Sequence, residues 1–240
     1  MSQISKYLEK HGFEAFRPRA VLFDMDGVLY DSMPNHAVAW QASMAKFGIR
    51  MTPADAYATE GARGVDTIRQ LARQQGREVS EDEAQSMYDE KSRHFHAMKQ
   101  APIMPGIPQL MEYIADQGLT IGVVTGSGQR PLLSRLTRDF GKYLDAGCIV
   151  TAYDVSRGKP SPDPYLMGLQ KAGGLKPWEA IVVENAPLGV RAGVAAHIFT
   201  IAVNTGPLPD SALTDEGADL IFHDMYELRN ELDLILKQTL

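Results

Sequence analysis

At 240 residues, 44% of them hydrophobic, the chain can bury one large core or a core with an inserted lobe, and its composition argues against disorder. A net charge of −6, with acidic and basic residues interspersed, argues against a nucleic-acid or anionic-membrane partner. Cys148 is the one cysteine and cannot close an internal disulfide, no apolar run reaches membrane-spanning length, and the charged start MSQISKYLEKHGFEAF lacks a signal peptide's apolar centre. A cytoplasmic chain acting as a monomer is the resulting expectation.

The first strong element is a strand over Ala20–Asp24, and VLFDMDGVLYDS (21–32) ends it with Asp24 and Asp26. Side chains at i and i+2 of an extended segment share a side, so the two carboxylates converge if the strand continues through both. A turn at Gly27 would re-aim the second. Two carboxylates a few ångströms apart repel, raise one pKa or require a cation between them. The plainer alternative is an Asp-rich turn that closes a strand.

Residues 33–103 carry no convincing strand and read as a block of helices. His36, Trp40, Ser43 or Met44, and Phe47 share one helical face. Thr52-Pro53 is an N-cap followed by an N1 proline. Val65–Gln75 forms a further helix with Gly76 placed as its C-cap. Ser80 and Glu83 make a capping box ahead of a helix running to about Met98. Along that helix Ala84, Met87, Tyr88, Phe95 and Met98 form an apolar stripe interrupted by Lys91. Such a lysine either snorkels outward or aims its ammonium at an anion across an interface.

Four more apolar, β-branched runs follow, at Thr120–Thr125, Ala180–Glu184, Ile198–Val203 and Asp219–Phe222, with a short candidate at Cys148–Val150. Segments of helical length, Pro131–Phe140 and Asp163–Lys171, lie between them. This alternation predicts an α/β fold: a Rossmann-like parallel sheet core (residues 1–32 and 104–240) carrying an inserted α-helical cap domain (residues 33–103).

In an open parallel sheet, ligands bind outside the carboxyl ends of the strands. Asp24, Asp26, Thr125 of VVTGSG, and Glu184 with Asn185 of VVENAPLG gather there, with Lys159 of RGKPSPDPY on a neighbouring loop. Acidic oxygens suit a hard cation, Mg²⁺ foremost. A hydroxyl, the open amides around Gly126, Ser127 and Gly128, and a lysine suit phosphate oxygens. A carboxylate beside them can attack phosphorus, and a second can act as general acid and base. Metal-assisted phosphoryl transfer to and from a small phosphorylated substrate is the reading.

DMDGVLYDS, VVTGS, GKPSPDPY and VVENAPLG resemble, in order and spacing, the four motifs of the haloacid dehalogenase superfamily. The likeness is to its β-phosphoglucomutase-like branch, which carries a helical cap after the first strand. It implies Asp24 as nucleophile, Asp26 as acid and base, and Thr125 and Lys159 holding the transferring phosphoryl group. It also implies a Mg²⁺ site made by Asp24, the Asp26 carbonyl, Glu184 and Asn185. The branch commonly has an acid pair where this chain has Glu184-Asn185, and one negative charge fewer implies weaker Mg²⁺ affinity.

Within the cap, His36, Lys91 and Arg63 resemble residues by which a mutase of this branch handles its substrate. Glu60 in EGARG, together with ENAPLG, resembles an inorganic-pyrophosphatase-like group. The expected substrate-binding set is therefore Gly126, Ser127, His36, Glu60, Arg63 and Lys91. Three functions stay open: a phosphohydrolase of small phosphorylated compounds, pyrophosphate included; a hexose-phosphate mutase; and a non-catalytic phosphometabolite-binding protein.

Overall fold

The computed structural model describes residues 2–127 and 130–238. The chain opens with α1 (Gln3–His11) and β1 (Ala20–Phe23), then runs through α2 (Met33–Lys46), α3 (Pro53–Ala58), α4 (Gly64–Gln74) and α5 (Glu81–Ala97). It continues with α6 (Ile107–Asp116), β2 (Thr120–Val124), α7 (Arg130–Phe140), β3 (Leu144–Val150), α8 (Asp163–Lys171) and β4 (Ala180–Glu184). The remaining elements are α9 (Pro187–Ala195), β5 (Phe199–Val203), α10 (Ser211–Thr214), β6 (Leu220–Phe222) and α11 (Met225–Lys237). Among the described residues no helix is long and apolar enough to cross a membrane.

The strands form one parallel sheet in the order β3-β2-β1-β4-β5-β6. Its strands are covered on both faces, which is why they read as continuous apolar runs. Val21 and Phe23 pack with Ile121, Ile181 and Ile201 under α1, α6 and α11. Ala20 and Leu22 point the other way, packing with Val124, Val182, Tyr165 and Leu169 under α8 and α9. The fold is thus the expected Rossmann-like α/β sheet with a helical insertion, and the sheet order reverses between β1 and β4, where a ligand crevice opens.

Strand ends shift by a residue in several places, an ordinary ambiguity of hydrogen-bond-defined limits. β1 stops at Phe23 and β2 at Val124, which leaves Asp24 and Thr125 just past the sheet. The larger departure is β3, which begins at Leu144 instead of Cys148. Ile121 pairs with Leu144 and Val123 with Ile149, so a shift of register interrupts the alternation by which the strand would be recognised. Helix α1, unassigned from sequence, buries Ile4 and Tyr7 in the main core, and the Tyr7 hydroxyl donates to the His197 carbonyl at 2.8 Å.

Helices α2 to α5 enclose a separate apolar cluster that includes Trp40, Met44, Ile68, Leu71 and Met87. The expected capping box of Ser80 with Glu83 is present, and the expected N-cap Thr52 proves to be part of a second box with Asp55. This lobe meets the sheet's carboxyl end through the α3–α4 connection. There Gly61 has φ of +85°, and a Cβ on it would lie 3.3 Å from Lys159 Cδ. Glycine lets the lobe's backbone run directly over Lys159.

Asp219, just before β6, accepts the Thr200 N–H at 2.8 Å, and burial pushes its carboxyl up to about 6. The folded state therefore holds that proton more tightly than the unfolded chain, and stability falls as pH rises from the ordinary carboxylate range through about 6. Asp219→Asn keeps an acceptor for Thr200. It is expected to raise the urea midpoint at about pH 8 and to leave it nearly unchanged at about pH 4. Equal effects at both values would show that Asp219 carries no charge penalty.

Candidate active site

The site is organised by one buried ammonium. Lys159 Nζ donates to Asp24 Oδ1 at 2.5 Å, to Glu184 Oε1 at 2.6 Å and to the Val124 carbonyl at 3.0 Å. All three of its protons are used, and lysine and carboxylates alike are nearly sealed from solvent. Asp24 sits there because its N–H still bonds the Val183 carbonyl, extending β1 by one residue toward β4. Burial raises its pKa, Lys159 opposes that, and the charges of Glu184 and Asp26 leave it pushed up to about 7. Glu184 also accepts the Tyr165 hydroxyl at 2.7 Å on Oε1, and the N–H groups of Asn185 (3.0 Å) and Ala186 (3.3 Å) on Oε2.

Asp26 faces different partners. The chain turns after Met25, with the Gly27 N–H on the Tyr30 carbonyl at 2.8 Å and Gly27 at φ of +82°. Asp26 Oδ1 accepts the Ser32 hydroxyl at 2.6 Å and lies 3.2 Å from His36 Nε2. His36 Nδ1 in turn lies 2.7 Å from Lys91 Nζ. An ammonium there must donate to Nδ1, which leaves the proton on Nε2, pointing at Asp26. Burial, with Lys91 beside it, lowers the imidazole's pKa, so the ring is neutral at neutral pH. Burial alone would raise Asp26, but the His36 and Ser32 hydrogen bonds, backed by Lys91, hold it below the ordinary carboxylate range.

Lys91 does not snorkel. Its side chain is buried, with Nζ 5.1 Å from the ring centres of Trp40 and Phe95 and 5.8 Å from that of Tyr88. Phe95 also stacks on His36 at 4.2 Å. Burial pulls Lys91 down to about 8 against the opposing charges of Glu60 and Asp26.

Asp24, Asp26, Thr125, Gly126 and Ser127 line one cavity with His36, Glu60 and Lys91 from the helical lobe. Thr125 Oγ1 accepts the Ser127 N–H at 3.0 Å, which leaves its hydroxyl proton free to turn into the cavity. Burial and the neighbouring Asp26 and Asp24 push Glu60 up to about 8. Arg63 is not in this cavity. It lines an adjoining cleft with Gly126 and Gly158, its guanidinium exposed and 4.0 Å from Asp66. Gly128 lies outside the described residues.

The donor set fits a hard divalent cation. Asn185 Oδ1 is buried without a hydrogen-bond partner, a costly condition that a cation would relieve. The Asn185 amide packs over Gly27, where a Cβ would come within 2.1 Å of its Nδ2, and so lies beside the Asp26 backbone. Around the cavity, the carboxyl groups of Asp24, Asp26, Glu60 and Glu184 outnumber the ammoniums of Lys159 and Lys91, an imbalance that a cation would offset. Glu184, expected among the ligands, is otherwise engaged: its two oxygens accept four hydrogen bonds, which fills its lone-pair capacity. Among the described residues no cluster of three or more His, Cys, Asp or Glu side chains is arranged for a metal. A cation here would rest on Asp24, the Asp26 carbonyl, Asn185 and waters.

The chain is similar to known proteins over most of its length. The profile of the haloacid dehalogenase-like hydrolases matches residues 21–203. The chain is 32% identical to hexitol phosphatase A of Escherichia coli over 214 residues, 88% of this chain and 94% of that protein. It is 26% identical to the beta-phosphoglucomutase of Bacillus subtilis over 224 residues, covering 89% and 93%. A solved structure from Bacteroides vulgatus, assigned as a beta-phosphoglucomutase, superposes with a TM-score of 0.93 at 48% identity, over 98% of this chain and 96% of that one.

Ser32 and Tyr165 are site residues that motif reasoning passed over, although both lie inside quoted motifs, DMDGVLYDS and GKPSPDPY. Tyr165 is fully buried, and burial beside Glu184 pushes its hydroxyl well up, so it stays a donor. Tyr165→Phe removes that donor from Glu184 in a dry site. The expected cost is about 1–3 kcal/mol of unfolding free energy, read from urea denaturation. An unchanged midpoint would mean that Glu184 is fully satisfied by its other donors.

Proposed function

The chain belongs to the haloacid dehalogenase-like hydrolases and is an enzyme of that type, and within that family we propose that it is a magnesium-dependent phosphohydrolase of small phosphorylated compounds, working through an aspartyl phosphate on Asp24. One observation carries this reading: two carboxylates two residues apart are given opposite settings. Asp24 is held against Lys159, and Asp26 against Ser32 and His36. Acids whose environments push their pKa values apart are suited to separate roles.

Lys159 fixes Asp24 through Oδ1, so Oδ2 is the oxygen free to attack phosphorus. The same ammonium offsets the charge that builds as two anions approach. Thr125 and the Gly126–Ser127 backbone receive the phosphoryl oxygens. Asp26 is ionised at rest, and a phosphate dianion arriving beside it raises its proton affinity. It takes up one proton from solvent as substrate binds, and gives that proton to the departing oxygen as the Asp24 oxygen displaces it from phosphorus. In the second half Asp26 removes a proton from the water that attacks phosphorus, and inorganic phosphate leaves a free Asp24 carboxylate. Asp24, the Asp26 carbonyl and Asn185 would hold magnesium, whose charge would offset the repulsion between carboxylate and phosphate.

We take residues 33–103 as the cap that reads the leaving group, on a core of residues 1–32 and 104–240. Names of relatives such as hexitol phosphatase A put phosphorylated sugars first among substrates. Glu60 narrows this toward compact substrates that bring a cation with them, pyrophosphate among them. Arg63 stands in the adjoining cleft, which shares Gly61, Thr125 and Gly126 with the cavity. A mutase is the second reading, favoured by the enclosed Lys91–His36 pair behind Asp26.

A Mg²⁺-dependent phosphate-release screen with sugar phosphates, hexitol phosphates and pyrophosphate tests the proposal beside a coupled assay of β-glucose 1-phosphate isomerisation. Free phosphate with little glucose 6-phosphate is expected. Glucose 6-phosphate with little free phosphate would replace the hydrolase by the mutase. Asn185→Asp should tighten Mg²⁺ binding in isothermal titration calorimetry, and an unchanged Kd would remove Asn185 from the ligands.

A further inference from the structure

Two segments join the helical lobe to the sheet, one between β1 and α2 and one between α5 and α6. They run side by side. The Asp31 N–H bonds the Pro102 carbonyl at 3.1 Å, the Met104 N–H bonds the Leu29 carbonyl at 2.9 Å, and Tyr30 and Ile103 form an antiparallel bridge. One residue of α7 touches both. The Arg135 guanidinium lies 3.9 Å from the centre of the Tyr30 ring, and its Nη2 donates to the Ala101 carbonyl. Its Nε donates to Asp139 Oδ2 at 3.1 Å, and the same oxygen accepts the Tyr30 hydroxyl at 3.1 Å. The cluster is largely shielded, Arg135 exposing 11% of its side chain and Asp139 15%. A planar cation that stacks on an aromatic ring and forks to two acceptors uses every property separating arginine from lysine.

We propose that Arg135, with Tyr30 and Asp139, is the latch that fixes the helical lobe on the core: a positioning residue that binds both connecting segments to α7. Its place on α7 matters because that helix follows the Thr125–Ser127 loop closely in sequence. The latch therefore ties the strand-end groups at the phosphoryl position to the segments that orient His36, Glu60 and Lys91. None of its three residues lines the cavity itself. Its effect on turnover rests on the function proposed above. Its effect on the connecting segments does not.

The test is amide hydrogen exchange on the intact chain carrying Arg135→Lys, which keeps the charge near Asp139 and loses the fork and the stacking. The amides of Asp31 and Met104 should exchange about tenfold faster, the factor expected from losing one charge-assisted hydrogen bond, while β1 and β4 amides keep their rates. Unchanged rates at Asp31 and Met104, or an acceleration shared by β1 and β4, would overturn the latch. Tyr30→Phe keeps the ring and removes only the hydroxyl. It should give a smaller increase confined to the same amides, and it decides the question alone should Arg135→Lys fail to fold. In turnover, Arg135→Lys should lower kcat/KM about tenfold on a sugar phosphate and by less than about twofold on acetyl phosphate, whose leaving group is too small to reach the lobe. Equal losses on both would place Arg135 in the service of the Thr125 loop and overturn the latch. A wild-type enzyme without turnover on either would defeat the proposed function and leave the exchange result standing.

Discussion

Everything at the carboxyl end of this sheet depends on a buried ammonium held by two carboxylates and a carbonyl. Removing charges from water costs several kcal/mol per ion, and the cost is met only when geometry and hydrogen bonding are complete. Lys159 meets that condition, since each of its three protons has an oxygen within 3.0 Å. Glu184 meets it too, with Tyr165 from α8 and two backbone amides at the start of α9 completing its shell. Elements that converge on these groups are the ones flanking the reversal of sheet order. A fold-level rule about where ligands bind thus acquires specific atoms.

The second consequence concerns Asp24 and Asp26. A strand running straight through both would have left two like charges side by side. Ending β1 at Phe23 and turning at Gly27 sends Asp24 to Lys159 and Asp26 to Ser32 and His36. The excess of carboxyl groups over ammoniums around the cavity, together with the unpaired Asn185 oxygen, suits this place to a divalent cation. Asparagine in place of a second acid keeps the oxygen and omits one charge. The helical lobe adds both signs, Glu60 and Lys91, so it can recognise a charged leaving group without becoming a plain anion trap.

Much of this was legible in sequence because the chemistry lies at strand ends, and a parallel sheet gathers its strand ends in one place. Asp24, Asp26, Thr125, Lys159 and Glu184 come together on that account, whereas the apolar stripe that Lys91 interrupts left open whether it snorkels or meets an anion, and the family likeness pointed to the site. What escaped depends on partners distant in the chain. Arg63 lies near Glu60 in sequence yet lines an adjoining cleft that shares only Gly61, Thr125 and Gly126 with the cavity holding Glu60. Glu184 looks like a metal ligand until Tyr165 and its own amides are seen to occupy it. Helix α1 shows too few residues of apolar periodicity to be recognised, although its Tyr7 is anchored to a carbonyl 190 residues away. The register shift in β3 likewise hides a strand whose pattern alone is irregular.

The central claim, that Asp24 is the nucleophile that accepts the phosphoryl group in a covalent transfer, is tested most directly by trapping. The enzyme is mixed with Mg²⁺ and a turned-over substrate, quenched in acid and reduced with borohydride, and the peptide spanning residues 20–32 is sequenced by mass spectrometry. Reduction of an aspartyl phosphate converts that aspartate to homoserine. The account predicts homoserine at position 24, aspartate retained at position 26, and no conversion without substrate. Conversion at position 26, or rapid turnover with neither residue ever modified, would contradict it.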